Sequence, residues 1–168
     1  NIMKKILITG GAGFIGSNLA KTLQEKHPDN KYFIIDNFSS GNLNNLEGFK
    51  GEIISANIAE IDLNKYFDKL DVIFHQAAIT DTTVFDEKKM MFNNVDGFKN
   101  VLNFAIKRGA KLIYASSAAV YGHSAPPMQV GKNEIPANVY GLSKLNADNI
   151  ARENFNNLHI VGLRYFNV

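Results

Sequence analysis

The sequence contains no cysteine, so disulfides and thiolate metal sites are excluded and a reducing compartment fits best. It also lacks an excess of either charge. Its 18 basic and 16 acidic side chains leave a formal +2, scattered along the chain rather than gathered in a stripe, which argues against nucleic acid and anionic membranes as partners. No apolar run reaches membrane-spanning length. The opening MKKILITGG is basic and then apolar, but its apolar part is only about four residues long and ends in glycines, too short for a signal peptide. The expectation is a soluble, cytoplasmic protein, with Met3 a candidate natural start preceded by Asn1 and Ile2. The four histidines (27, 75, 123 and 159) lack metal-ligand spacing, so no metal is expected and His75 reads as a packed core residue. There is no internal repeat and no low-complexity linker. What remains is a chain of 168 residues, 45% apolar, enough for one domain with a sizeable core.

Strand-like and helix-like patterns alternate along it. KKILITG, KYFIID, GEIISAN, DVIFHQAA, AKLIYASS and HIVGLRYF read as six short strands. FIGSNLAKTLQEKH carries apolar residues at helical spacing (Phe14, Leu19, Leu23) and stops before Pro28. DLNKYFDKL reads as a short helix. A long helix is expected from about Asp86 to Arg108 on Met90, Met91, Val95, Phe98, Leu102 and Ala105, and another over VYGLSKLNADNIARENF. The Asn-rich stretch 37–48 and the segment 118–138, with Pro126, Pro127 and Pro136, read as loops. Strands separated by helices require crossovers, hence a parallel α/β sheet covered on both faces.

The glycine spacing Gly10-x-x-Gly13-x-x-Gly16 ends the first strand and opens the first helix. Such a loop turns sharply, lets a pyrophosphate approach without a Cβ in the way, and presents helix N–H groups to phosphate. Glycines alone also describe a structural turn. Here the strand-loop-helix context and Asp36, about 20 residues further on at the end of the second strand, point to a dinucleotide. A carboxylate at Asp36 accepts hydrogen bonds from ribose hydroxyls and repels a 2′-phosphate, and the following NFSSGN has no Lys or Arg. The local residues favour NAD over NADP.

NVYGLSK places Lys144 one helical turn after Tyr140, on the same face. Beside an ammonium and a bound cofactor, the phenol is expected to titrate below its usual value of about 10 and to serve as acid or base. YASSAAVYG puts Ser116 and Ser117 at the carboxyl edge of the sheet, where ligands bind in open α/β folds and a hydroxyl can donate to the oxygen of a forming ketone.

With TGGAGFIGSN, IFHQAA, YASSAAVYG, NVYGLSK and LRYFNV in order, the chain resembles the N-terminal part of the extended short-chain dehydrogenase/reductases, the family of nucleotide-sugar epimerases and dehydratases. AAITDTTVFDEKKMMFNN and VGLRYFNV most resemble the branch that inverts C6 of an ADP-linked heptose for lipopolysaccharide. The resemblance implies a Rossmann-like doubly wound parallel sheet with helices on both faces, and chemistry by transient oxidation to a ketone with hydride returned to the opposite face. By position, Ser117 would polarise the oxygen, Tyr140 act as acid/base, and Lys144 bind cofactor and tune Tyr140. Phe14 and Ile15 would lie over the pyrophosphate, and Asp36 and Asn37 at the adenosine ribose, with Asn57 and Ile58 near the adenine. Gln76, Ala77, Ala78 and Thr80 would line the cofactor, with Asn93 approaching from the long helix. Thr80, Ser116, Ser117 and Asn167 would meet substrate. Relatives pair through the long helix and the Tyr–Lys helix, which implies a homo-oligomer.

Two departures stand out. The heptose branch generally takes NADP, while this loop lacks a basic residue for it; NADP follows from resemblance and NAD from local chemistry. Where many relatives carry Asp-Ile, this chain has Asn57-Ile58. The family also continues past RYFNV into a substrate domain, so residues 1–168 are expected to be a dinucleotide-binding domain that does not epimerise alone. Other readings are a UDP-hexose 4-epimerase, a dehydratase (disfavoured because Ala118-Ala119 replaces the usual acidic pair), and a non-catalytic dinucleotide-binding module.

Overall fold

Six short runs rich in β-branched and aliphatic residues form strands: β1 (Lys5–Thr9), β2 (Lys31–Asp36), β3 (Glu52–Ser55), β4 (Val72–His75), β5 (Lys111–Ser117) and β6 (Ile160–Tyr165). They are described by a computed structural model covering residues 2–168; Asn1, ahead of the candidate start at Met3, lies outside the described residues. The sheet is parallel throughout, in the order β3-β2-β1-β4-β5-β6. This is the doubly wound arrangement expected from the alternation of strands and helices. The order reverses between β1 and β4, and ligands in such sheets bind at that crevice, beyond the carboxyl ends of the strands.

Alternation along the central strands feeds two cores. Leu7, Phe33, Ile35, Ile73 and Leu112 face one layer, with Phe98, Val101, Leu102 and Ala105 from α3 (Gly97–Arg108) and Ala147 and Ala151 from α4 (Val139–Asn154). Ile6, Ile8, Tyr32 and Ile34 face the other, against Ala20 and Leu23 of α1 (Phe14–Lys26). Each fully buried aliphatic side chain contributes about 1.5–3 kcal/mol, so these layers hold the strand ends in register. Among the described residues, no helix is long and apolar enough to cross a membrane.

Two local expectations need correction. DLNKYFDKL yields only a 3₁₀ turn, Leu63–Lys65, started by the Asp62 side chain accepting from Asn64 N. Leu63, Phe67 and Leu70 are buried as anchors, and so short a segment cannot offset the cost of nucleating a helix. The long helix is not uniform: α2 (Glu87–Met91) passes through a π turn at Phe92–Asp96 before α3. The added residue lets neighbouring asparagines take different tasks, Asn93 lining the cleft and Asn94 facing inward. The buried face of α1 is Gly16, Ser17 and Ala20, while Phe14, at the helix start, is 70% exposed and borders the cleft.

Candidate functional site

A cleft of about 560 Å³ runs along the carboxyl ends of the strands. Every residue singled out above for cofactor, substrate or catalysis borders it: Gly10, Gly13, Phe14, Ile15 and Gly16; Asp36, Asn37, Asn57 and Ile58; Gln76, Ala77, Ala78, Thr80 and Asn93; and Ser116, Ser117, Tyr140, Lys144 and Asn167.

The first end is shaped by backbone. Gly10 has φ +66, and a Cβ there would lie 2.7 Å from Ala77 N. A Cβ on Gly16 would run into the Gly10 carbonyl, so both glycines are required by the fold itself. Gly13 differs: its φ is −78 and the nearest atom to a Cβ is Gly10 O at 3.4 Å. The fold tolerates a side chain at Gly13; what needs the space is whatever docks against the loop. Gly13 also starts α1 with no side-chain cap and no acid in the first turn, which leaves the positive helix end open to an anion.

Asp36 closes this end. Its Oδ2 accepts from Ala12 N at 2.9 Å and its Oδ1 from Phe38 N at 2.8 Å, so the carboxylate is pinned to the glycine loop while it faces the cleft. Asn37 and Asn57 each spend Oδ1 on a turn, accepting from Ser39 N and Ala59 N. Among the described residues bordering the cleft, Asp36 is the carboxylate and Lys144 the cation.

The middle is set by β4. The Thr9 hydroxyl accepts from Gln76 N and Ala77 N, both at 3.1 Å, so its proton goes to His75 Nδ1 at 2.7 Å. His75 is therefore neutral, with its proton on Nε2. Burial holds it down at about 3, helped by the nearby Lys144 charge. Gln76 Oε1 accepts from Tyr165 Oη at 3.2 Å, but Gln76 Nε2 is buried without a partner. An unpaired buried amide at the wall of a cleft is a donor suited to a ligand.

The far end carries the reactive groups. Asn138 caps α4 by accepting from Gly141 N at 2.7 Å, a contact worth about 1 kcal/mol. Gly141 lets that helix start pass against Ala119 O, 2.5 Å from where a Cβ would stand. This brings Tyr140 up to Ser117, whose Oγ accepts from Ala119 N at 3.0 Å. Lys144 is buried, donates to Ala115 O at 2.9 Å, and lies 5.9 Å from the Tyr140 ring centroid. Burial lowers its ammonium to about 8, against a weaker upward pull from Asp148.

The low titration expected of Tyr140 belongs to the cofactor-bound site; in the protein alone the phenol stands above its usual value. Burial pushes the phenol up, and the Ser117 hydroxyl hydrogen-bonded to it offsets only part of that rise. Ser116 borders the cleft, but its hydroxyl donates to Asp148 Oδ2 at 2.9 Å. Neighbouring strand residues point to opposite sides, so Ser117, and not Ser116, turns its hydroxyl to Tyr140.

Several residues escaped the sequence reading. Ser39, Ser40 and Gly41 border the first end, and Tyr165 and Phe166 the far one. Asp148 could have been found, since it continues the four-residue spacing of Tyr140 and Lys144. Its partners Tyr114 and Arg164, and Glu134 behind Arg164, carry no local signal.

The signature of the family described as "NAD dependent epimerase/dehydratase family" matches residues 6–168. The ADP-L-glycero-D-manno-heptose-6-epimerase of Brachyspira hyodysenteriae is 40% identical over 174 aligned positions, covering 97% of this chain and 54% of that protein. The crystal structure of the Helicobacter pylori ADP-L-glycero-D-manno-heptose-6-epimerase superposes with a TM-score of 0.93 at 49% identity, over 98% of this chain and 55% of that one. The Bacillus cereus UDP-glucuronic acid 4-epimerase, solved with UDP-glucuronic acid and NAD, gives 0.87 at 30% identity, over 96% and 56%. The chain thus spans about half the length of the relatives it matches.

Proposed function

The chain belongs to the NAD dependent epimerase/dehydratase family, and from that premise we propose that it is the dinucleotide-holding part of a nucleotide-sugar epimerase that inverts C6 of an ADP-linked heptose, with NAD as its cofactor. The observation that carries the reading is the joining of the glycine loop and the Ser117–Tyr140–Lys144 group along one cleft. The heptose is favoured over a UDP-hexose by the 49% identity to the H. pylori enzyme, against 30% for the B. cereus one.

When bound, the nicotinamide supplies a reversible hydride acceptor. The residues of this chain do the rest. Gly13 and the open end of α1 would receive the pyrophosphate, and Asp36 would accept from the adenosine ribose hydroxyls. With Asp36 the carboxylate here and no Lys or Arg beside it, a 2′-phosphate would be repelled, which supports NAD over NADP. Lys144 spends one proton on Ala115 O and keeps the others for the second ribose. Ser117, oriented by Ala119 N–H, donates to the sugar oxygen, and Tyr140 takes and returns the carbinol proton. Tyr140 is high in the protein alone, and a cationic ring held in the cleft would favour its phenolate. Cytoplasmic placement, a role in lipopolysaccharide, self-association through the long helix (α2 to α3) and α4, and the inactivity of residues 1–168 alone belong to this same proposal.

The native-length protein, incubated with ADP-heptose and separately with UDP-galactose, tests it by stereochemical change in the sugar. Inversion at C6 of the heptose supports it, and inversion of UDP-galactose alone would replace it with a 4-epimerase.

A further inference from the structure

Behind the Tyr140–Lys144 pair lies a buried charge cluster that the proposed chemistry does not use. Asp148, on α4 one turn after Lys144, is 5% exposed. Its Oδ1 accepts from Tyr114 Oη at 2.7 Å; its Oδ2 accepts from Ser116 Oγ at 2.9 Å and from Arg164 Nε and Nη2 at 3.2 and 2.9 Å. Three successive residues of β5 are thereby stitched to α4: Tyr114 and Ser116 to Asp148, and the Ala115 carbonyl between them to Lys144. Any sliding of α4 that frees Lys144 from β5 also breaks the Asp148 contacts.

Arg164 does not serve Asp148 alone. Its Nη2 also pairs with Glu134 of the loop between β5 and α4, and its guanidinium stacks 4.8 Å from the Tyr121 ring centroid. Glu134 is fastened in turn by Arg152 at 2.8 Å and by Gly131 N at 3.0 Å. One buried guanidinium is thus divided between a carboxylate on the reactive helix and a carboxylate on the loop.

We propose that Asp148 and Arg164 are positioning residues for the Tyr140–Lys144 pair, and that the seating of Glu134 on Arg164 sets how much of the Asp148 charge Lys144 feels. The inference rests on the reading of Tyr140 and Lys144 as the working groups of the cleft. Charged and titratable groups bear on Lys144 directly or through Asp148: His75, neutral, on β4 and Tyr140 and Asp148 on α4 directly; Tyr114, protonated, on β5 and Arg164 on β6 through Asp148, with Glu134 and Arg152 behind Arg164. Burial disfavours the Lys144 cation, and Asp148 opposes that. With Glu134 in place, the Arg164 charge is shared and Asp148 keeps its hold on Lys144. With Glu134 withdrawn, Arg164 neutralises Asp148 more fully and the Lys144 cation loses support. The loop's position is thereby transmitted to a residue it does not touch.

The sign of the effect distinguishes this from simple bracing. Loosening the packing would admit water and move Lys144 back up towards 10.5 in every variant. The charge relay instead predicts opposite directions. By NMR titration of the Lys144 ε-methylene carbon in the protein, Asp148→Asn should lower the Lys144 midpoint by about one pH unit, and Glu134→Gln should lower it by about half a unit. Arg164→Met should raise it by a similar amount, and Arg164→Lys, which keeps the charge, should restore it. The Glu134 variant sits at the loop and tests the relay even if Asp148→Asn or Arg164→Met does not fold. Midpoints that rise in Asp148→Asn or Glu134→Gln, or stay unchanged in Glu134→Gln, overturn it. Calorimetry with NAD on the same samples reports separately on the cofactor reading: absent binding in the unaltered protein would fall on that reading, while the relay is judged on the midpoints alone.

Discussion

At its β1–β2 end the cleft is shaped by backbone: a Cβ on Gly10 or Gly16 would strike main-chain atoms, and Asp36 fixes the loop through the Ala12 and Phe38 N–H groups. At the β5–β6 end it is shaped by buried charge: Lys144 and Asp148 are held by Tyr114, Ala115, Ser116 and Arg164, from two strands. The first end is made by neighbours in sequence, apart from Ala77 and Asp36. The second is made by partners 16 to 34 residues apart. A steric site tolerates few residue types and little movement. A charged site can be tuned by changing one partner's neutralisation, so regulation is more naturally built at the far end.

The largest predicted break is at the charged end. Asp148→Ala leaves Arg164 with half its partners and Tyr114 with none, and should cost about 3–5 kcal/mol of stability by urea unfolding. At the steric end, Gly16→Ala drives a methyl into the Gly10 carbonyl and should cost about 1–3 kcal/mol by the same measurement. A conservative change should show the contrast more sharply: Asp148→Asn should retain more stability than Asp148→Ala, whereas no side chain at all suits position 16.

Between the two ends, His75 gives a pH signature. Its unfolded value near 6.5 drops to about 3 on folding, so in that window the unfolded chain binds a proton the folded chain refuses. Stability should therefore fall as pH drops below 6.5, by about 1.4 kcal/mol per pH unit at the steepest. His75→Gln should flatten the slope above the carboxylate range in unfolding curves taken at several pH values. The smallest effect on stability is expected at Gly13, where a methyl meets nothing closer than 3.4 Å. Gly13→Ala should stay within about 0.5 kcal/mol of the unaltered protein and yet weaken dinucleotide binding by about tenfold or more.

The same contrast explains what could be read from the residues alone. The alternation of strands and helices, the glycine loop, Asp36 and the Tyr140–Lys144 pair rest on short-range spacing, and spacing is visible in a sequence. DLNKYFDKL misled because its apolar spacing fits a helix, while Leu63, Phe67 and Leu70 are anchored individually to the core. The π turn at Phe92–Asp96 was hidden because one inserted residue hardly disturbs an apolar pattern. No spacing marks Arg164 and Glu134; only the packing of β6 and the loop against α4 reveals them as a pair. Tyr140 stands beside Lys144 and Ser117, as the spacing implies, and burial, which spacing does not report, raises its phenol in the protein alone.

The most direct test of the account is calorimetric titration of the protein with NAD and with NADP. The account predicts saturable NAD binding, with NADP weaker by about tenfold or more because Asp36 opposes the added phosphate. Equal or tighter binding of NADP, or no binding of either dinucleotide, would contradict it.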